Sequence, residues 1–158
     1  MQYSKKKITS GKYNGDPTET AIVKAANEKN IHKNDLEAIY PRVGEIPFDS
    51  TRKLMTTIHR TLSGYRIITK GAPDVLLSKC KKYYNNGNIL ELEETVINSI
   101  KKANKSMGEK ALRVLGVAYL DVDKIPSNNN IENNLIFVRL NRHDRSTKRR
   151  GKRSGRKL

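Results

Sequence analysis

The sequence has no tryptophan, one cysteine and two phenylalanines among its 158 residues. A lone thiol, Cys80, excludes an internal disulfide, and no second Cys or His stands near it at zinc-ligand spacing. That usage is in keeping with a reducing compartment. Long apolar runs are also missing. None approaches the roughly 18–20 residues that a membrane-crossing helix needs. The basic start MQYSKKK has no apolar stretch behind it, unlike a signal peptide. The expectation is a soluble chain without direct membrane insertion. There is no Gly-rich Walker loop and no GxGxxG. His32, His59 and His143 lie far apart with no nucleophile beside them, so they read as surface side chains and no hydrolase constellation is visible.

What the sequence has in excess is positive charge, +16 in all. It is unevenly placed. Residues 139–158 hold ten Lys or Arg against one acid (+9), and residues 1–138 hold 22 against 15 (+7). Seven of the twelve arginines fall in those last twenty residues. The first 138 residues read as one Lys-rich domain, whose apolar fraction of 35% over the chain suffices for a modest core. Residues 139–158 read as a basic tail, expected to be disordered.

Local patterns give an element order. Asp16-Pro17-Thr18-Glu19 resembles a capped helix start, and that helix should end near Asn30. Leu36 to Tyr40 suggests a short helical turn stopped by Pro41, and Glu45 to Phe48 a short extended piece. Lys53–Thr61 and Tyr65–Lys70, rich in Thr, Ile and Tyr, predict a hairpin around Leu62-Ser63-Gly64. Gly71-Ala72-Pro73 leads into a helix to about Cys80, and Asn85–Asn88 is a turn. Val96, Ile97, Ile100 and Ala103 mark an amphipathic helix from about Glu93 to Met107, closed by Gly108. Ala111–Leu120 predicts a buried strand, Pro126–Asn130 a loop and Leu135–Val138 a last strand. The fold class is therefore α+β, a mainly antiparallel sheet with helices packed on it.

Four stretches stand out chemically. Gly15-Asp16-Pro17-Thr18-Glu19 is at least a helix cap. Glu45 to Met55 holds Phe48 and the cationic pair Arg52-Lys53, which taken alone is a core ring beside solvated charges. Lys70-Gly71-Ala72-Pro73-Asp74 places a cation at a strand end, where glycine permits close approach to the backbone; taken alone it is a strand-to-helix turn. Arg113 lies inside an apolar strand and must find a partner or reach the surface. Together they supply what a nucleotide needs, an aromatic face for the base and cations for the phosphates. Phe48 offers the ring; Lys53, Lys70 and Arg113 offer the cations; Glu19 is an acceptor for the adenine amino group, directly or through water.

In that order, GDPTE, PFDSTRKLM, KGAPD and ALRVL resemble the signature blocks of the nucleotide-binding domain of P-type ATPases, bacterial pumps of the calcium-transporting type above all. The resemblance covers about residues 10 to 138. It implies an ATP site in which Glu19 lies beside the adenine, Phe48 stacks on the ring, Lys53, Lys70 and Gly71 line the pocket with Lys70 at its floor, and Arg113 reaches towards the phosphates. Ser50 stands near a point where calcium pumps of animal reticulum tend to carry a phosphate-holding Arg, so affinity should lean on the adenine end. It implies Mg-ATP as the ligand in the parent pump, and the pump's phosphorylation and membrane domains as partners. It also implies a cytoplasmic place for this domain, with the parent protein in the cell membrane.

The family's phosphorylated aspartate lies in a DKTGT motif that this chain lacks, as it lacks the TGE loop and the membrane helices. The chain alone is therefore expected to hold ATP without turning it over. The family's domain also usually begins with strands that would precede Met1. After the last strand the family continues into a hinge resembling Gly-Met-Ile-Asp-Pro-Pro-Arg, where this chain has Arg139 to Lys148. Read one base further on, with allowed synonymous codons, Arg139–Arg156 can spell such a hinge. The expectation is a shifted reading frame from about Val138/Arg139. The competing reading is a small basic nucleic-acid-binding protein acting through the tail by counterion release. That tail has no interleaved aromatics for base stacking, and weak, non-specific polyanion binding is what its composition implies.

Overall fold

The computed structural model describes residues 23–110, 112–127 and 129–144, and of His143 and Asp144 the backbone alone. The helix start around Asp16–Glu19, and residues 145–158 of the basic tail, lie outside the described residues. The chain divides between Ala38 and Ile39 into two units.

In the first unit, residues 23–27 are helical (α1) and α2 spans Lys33–Ile39. α1 ends as expected near Asn30, whose positive φ of 57° is the left-handed position that commonly closes a helix. The Ile31 N–H then donates back to the Ala26 carbonyl at 3.0 Å. His32 lies 3.2 Å from Asn27 Oδ1 across this turn, and Lys33 pairs with Glu37 one helical turn on at 3.5 Å.

The second unit is built on seven strands: β1 Arg42–Ile46, β2 Leu54–Arg60, β3 Tyr65–Gly71, β4 Cys80–Asn85, β5 Asn88–Glu91, β6 Leu112–Val122 and β7 Leu135–Asp144. Their order in the sheet is β1-β2-β3-β6-β7-β4-β5. Every neighbouring pair is antiparallel except β4 with β7. The predicted hairpin is β2–β3, with Leu54 opposite Gly71 and Arg60 opposite Tyr65. Two helices follow the predicted pattern. α3, Pro73–Ser78, starts with proline at its first turn, and α4 runs Glu94–Glu109, through Gly108 rather than stopping before it.

Strand alternation separates the faces of the central strands. Leu54, Thr56 and Ile58 of β2, Ile67 and Thr69 of β3 and Ala118 of β6 are buried on one face. There they join Leu76 and Leu77 of α3 and Leu135 and Phe137 of β7, with Ile100 of α4 packed alongside. A second cluster holds Ile58, Ile67 and Ile131. Gly116 of β6 lets α3 approach closely: a Cβ there would sit 2.8 Å from Leu76 Cδ2. Thr56 and Thr69, fully buried, satisfy one another through a 2.9 Å hydroxyl contact.

Two expectations about strands are revised. Asn86 (φ 48°) and Gly87 (φ 89°) form the expected turn, but as the two-residue connection of a hairpin whose strands, β4 and β5, the sequence reading left out. And β7 continues past Val138 to Asp144, pairing Arg139 with Val117 and Asp144 with Leu112. Its ladder is made by backbone groups, which accept any non-proline sequence, and Leu140 packs against the main core.

Candidate functional site

Three of the four chemical stretches meet at one end of the sheet. Leu54, Gly71 and Gly116 form a row across β2, β3 and β6. The segment 47–53 that enters β2 and the Lys70–Gly71 end of β3 lie at this row, and Arg113 lies three residues beyond it along β6. Gly71 is required there, because a Cβ would run into the Lys53 carbonyl and the Leu54 backbone. That close approach allows the Ala72 N–H to donate to Lys53 O at 3.1 Å, joining the two stretches directly. Glu19, in the fourth stretch, lies outside the described residues.

On the face opposite the core, Met55, Lys70 and Val117 make the next row, followed by Thr57, Ile68 and Tyr119. By alternation Leu115 and Arg113 continue this face along β6, Arg113 about 13 Å of strand from Val117. Lys70 and the apolar members are half-buried; Arg113 is exposed. At the far end, Arg66 is held bidentately by Asp121 at 2.7 and 2.8 Å and lies 5.0 Å from the Tyr119 ring centre. The hydrogen bonds that Arg66 donates to Asp121 raise its pKa above the ordinary value.

Phe48, Ser50 and Lys53 are exposed on the loop between β1 and β2. Phe48 is 61% exposed, whereas the other phenylalanine, Phe137, is 4% exposed. The reading of Phe48 as a core ring is thus corrected. The loop is closely tied. Asp49 Oδ1 accepts the N–H groups of Thr51 (2.7 Å) and Arg52 (2.8 Å), and Asp49 O accepts that of Lys53 at 2.6 Å. The bonds from Arg52 and then Thr51 hold the Asp49 carboxyl below its ordinary pKa. Lys53 itself has φ 58°, a left-handed conformation costing a non-glycine residue about 1–2 kcal/mol.

Arg52, read from the sequence as a solvated charge, proves to be a structural side chain. Its Nη2 donates to Pro47 O (2.9 Å) and Leu54 O (2.8 Å), and its Nε lies 3.0 Å from Glu132 Oε2. Its partner Glu132 carries no sequence signal: the two are 80 residues apart, and no local pattern links them. The Asp49 turn had a signal, an Asp followed two residues on by Thr. His59 also departs from the surface reading: it is half-buried, 3.0 Å from Tyr40 O and 2.9 Å from Thr57 Oγ1.

The site therefore presents one exposed ring, exposed or half-buried cations and an apolar strand face within one region of the sheet. The family model described as "P-type ATPase, cytoplasmic domain N" matches residues 1–140. A calcium-transporting ATPase of Bacillus cereus is 42% identical over 133 residues, covering 80% of this chain and 14% of that protein. A calcium-transporting ATPase of Listeria monocytogenes is 38% identical, covering 70% and 13%. The sodium/potassium-transporting ATPase alpha subunit of Hydra vulgaris is 38% identical, covering 71% and 11%. The chain thus spans about a seventh or less of the length of these relatives.

Proposed function

This chain belongs to the family of the P-type ATPase cytoplasmic domain N, and from that premise we propose that it binds ATP and holds it for phosphoryl transfer to an aspartate of another domain. The adenine stacks on Phe48. Lys53 and Lys70 line the pocket beside Gly71, Ser50 lies along the loop, and Arg113 reaches the phosphates. Glu19, outside the described residues, is assigned to the adenine by the family resemblance alone. The observation that carries this reading is the contrast between the two phenylalanines. Burying such a ring is worth about 1.5–3 kcal/mol, yet Phe48 stands in solvent on a tied loop beside cations, which suits a ring kept for a flat ligand.

In the parent pump the ligand arrives as Mg-ATP, and the partners are the phosphorylation and membrane domains. The parent moves a cation, calcium by the names of its bacterial relatives. This chain contributes binding and orientation; its cations offset the charge of the phosphates, and the nucleophile comes from elsewhere. The reading frame shifts at about Val138/Arg139, a point that falls within β7 rather than at the end of the sheet, and the codons of Arg142 to Thr147 decide it.

Calorimetric titration with ATP tests the proposal. Base–aromatic stacking is worth about 1–3 kcal/mol, so Phe48→Ala should weaken binding about 5- to 150-fold. Removal of residues 145–158 should leave binding in place. Affinity that is indifferent to Phe48 and disappears with residues 145–158 would overturn the proposal in favour of non-specific polyanion binding. The cut belongs after Asp144 rather than Val138, because β7 runs that far.

A further inference from the structure

The loop that carries Phe48 is held from a distant part of the chain. Glu132 is 12% exposed in its side chain, and next to it Ile131 is 2% exposed in the cluster with Ile58 and Ile67. This anchors the segment against β2 and β3. The Glu132 carboxylate accepts the Thr56 hydroxyl at 2.6 Å with Oε1 and meets Arg52 Nε at 3.0 Å with Oε2. The second contact is an ion pair without aligned hydrogen-bond geometry, since Nε makes no hydrogen bond. Arg52 in turn grips the carbonyls of Pro47 and Leu54, one on each side of the loop. Thr56 leads on to Thr69, the neighbour of Lys70 in β3. One carboxylate thus connects the Phe48 loop to the strand pair that carries Lys70.

We propose that Glu132 is a positioning residue for nucleotide binding, acting through Arg52 to hold the Phe48 loop in its binding position. The inference rests on the proposed ATP site. Without the carboxylate, Arg52 keeps its two backbone acceptors but loses the charge that fixes its guanidinium against β2. Both side chains are largely withdrawn from water, so their attraction is screened less than that of a surface pair. The loop carrying Phe48, Ser50 and Lys53 is then expected to sample other positions, so that less of the protein is competent to bind.

The test uses the full chain with Glu132→Gln, which keeps size and an acceptor for Thr56, and Arg52→Lys, which keeps charge but loses the fork. Each is expected to weaken ATP binding about tenfold, or about 1.4 kcal/mol. In a Phe48→Ala background Glu132→Gln should have a clearly smaller effect, because the ring is the main group that the loop positions. Hydrogen exchange should show faster exchange at residues 48–53 in both variants, with β2 and β3 still protected. Unchanged affinity, equal losses with and without Phe48, or unaltered exchange in the loop would each overturn the proposal. Should Glu132→Gln not fold, Arg52→Lys reads the same link. Should Phe48→Ala alone leave affinity intact, the ATP site itself fails, and exchange in the loop still decides whether Glu132 positions it.

Discussion

Phe48 and Phe137 are the same residue type in opposite surroundings, and only the sheet register explains why. Phe137 lies on the core face of β7, while Phe48 precedes β2 on a loop whose backbone is bound to its own side chains. The sequence identified Phe48 as chemically interesting but not its exposure, because exposure depends on where the loop is tied. Gly71 was legible for its freedom to approach another chain segment; the segment proves to be Lys53–Leu54 of the same sheet. Gly71→Ala is therefore expected to destabilise the fold by about 1–3 kcal/mol, as overpacking does, measured by urea unfolding. Cys80 belongs to the same scale. Burial pushes its thiol up to about 12, and its Sγ lies 3.2 Å from Leu76 O. The thiol of the unfolded chain ionises near pH 8.5, so a rise in pH between that value and about 12 favours the unfolded state. Thiol reagents at pH 8 should modify Cys80 slowly in the native protein and rapidly in denaturant; equal rates would contradict its burial.

Among the elements, β2–β3 and β6 were readable because β-branched and aromatic residues alternate or cluster between clear turns. β4 and β5 were not. In β4 only Cys80 and Tyr83 are half-buried, three residues apart, and β5 is wholly exposed, so no strand alternation marks them. What places them is tertiary: β4 adds in parallel to β7, a pairing between segments more than 50 residues apart. The Phe48 loop was likewise only half legible. Asp49 announces a turn, but the Arg52–Glu132 link depends on the folded sheet. The loop carries its own pH dependence. Since the folded carboxyl of Asp49 lies below the ordinary value of 3.8, its contribution is present above that value and is lost as pH falls through the depressed one. Amide signals of Thr51 and Arg52 should stay protected down to about pH 4 and lose protection below it, while β2 and β3 amides persist. Asp49→Ala should remove that step; a step that survives the substitution would assign it to another group.

At the scale of the whole chain, the large positive charge drew attention to residues 139–158, yet their first six residues are part of the sheet. Their backbone pairs with Leu112–Val117, the part of β6 that carries Arg113. A cut after Val138 should therefore destabilise the protein relative to a cut after Asp144, by about 2–5 kcal/mol for several net hydrogen bonds, seen as a lower urea midpoint. Equal midpoints would mean that the strand extension contributes nothing. The same extension explains why charge misleads as a guide to function here: strand pairing uses backbone groups, whatever side chains accompany them. The most direct measurement of function is a map of backbone amide shifts on addition of ATP, beside inorganic triphosphate. ATP is expected to shift Phe48, Ser50, Lys53, Lys70, Gly71 and Arg113, and triphosphate to leave Phe48 unmoved. Shifts confined to residues 145–158, or identical maps for the two ligands, would contradict an adenine site at Phe48.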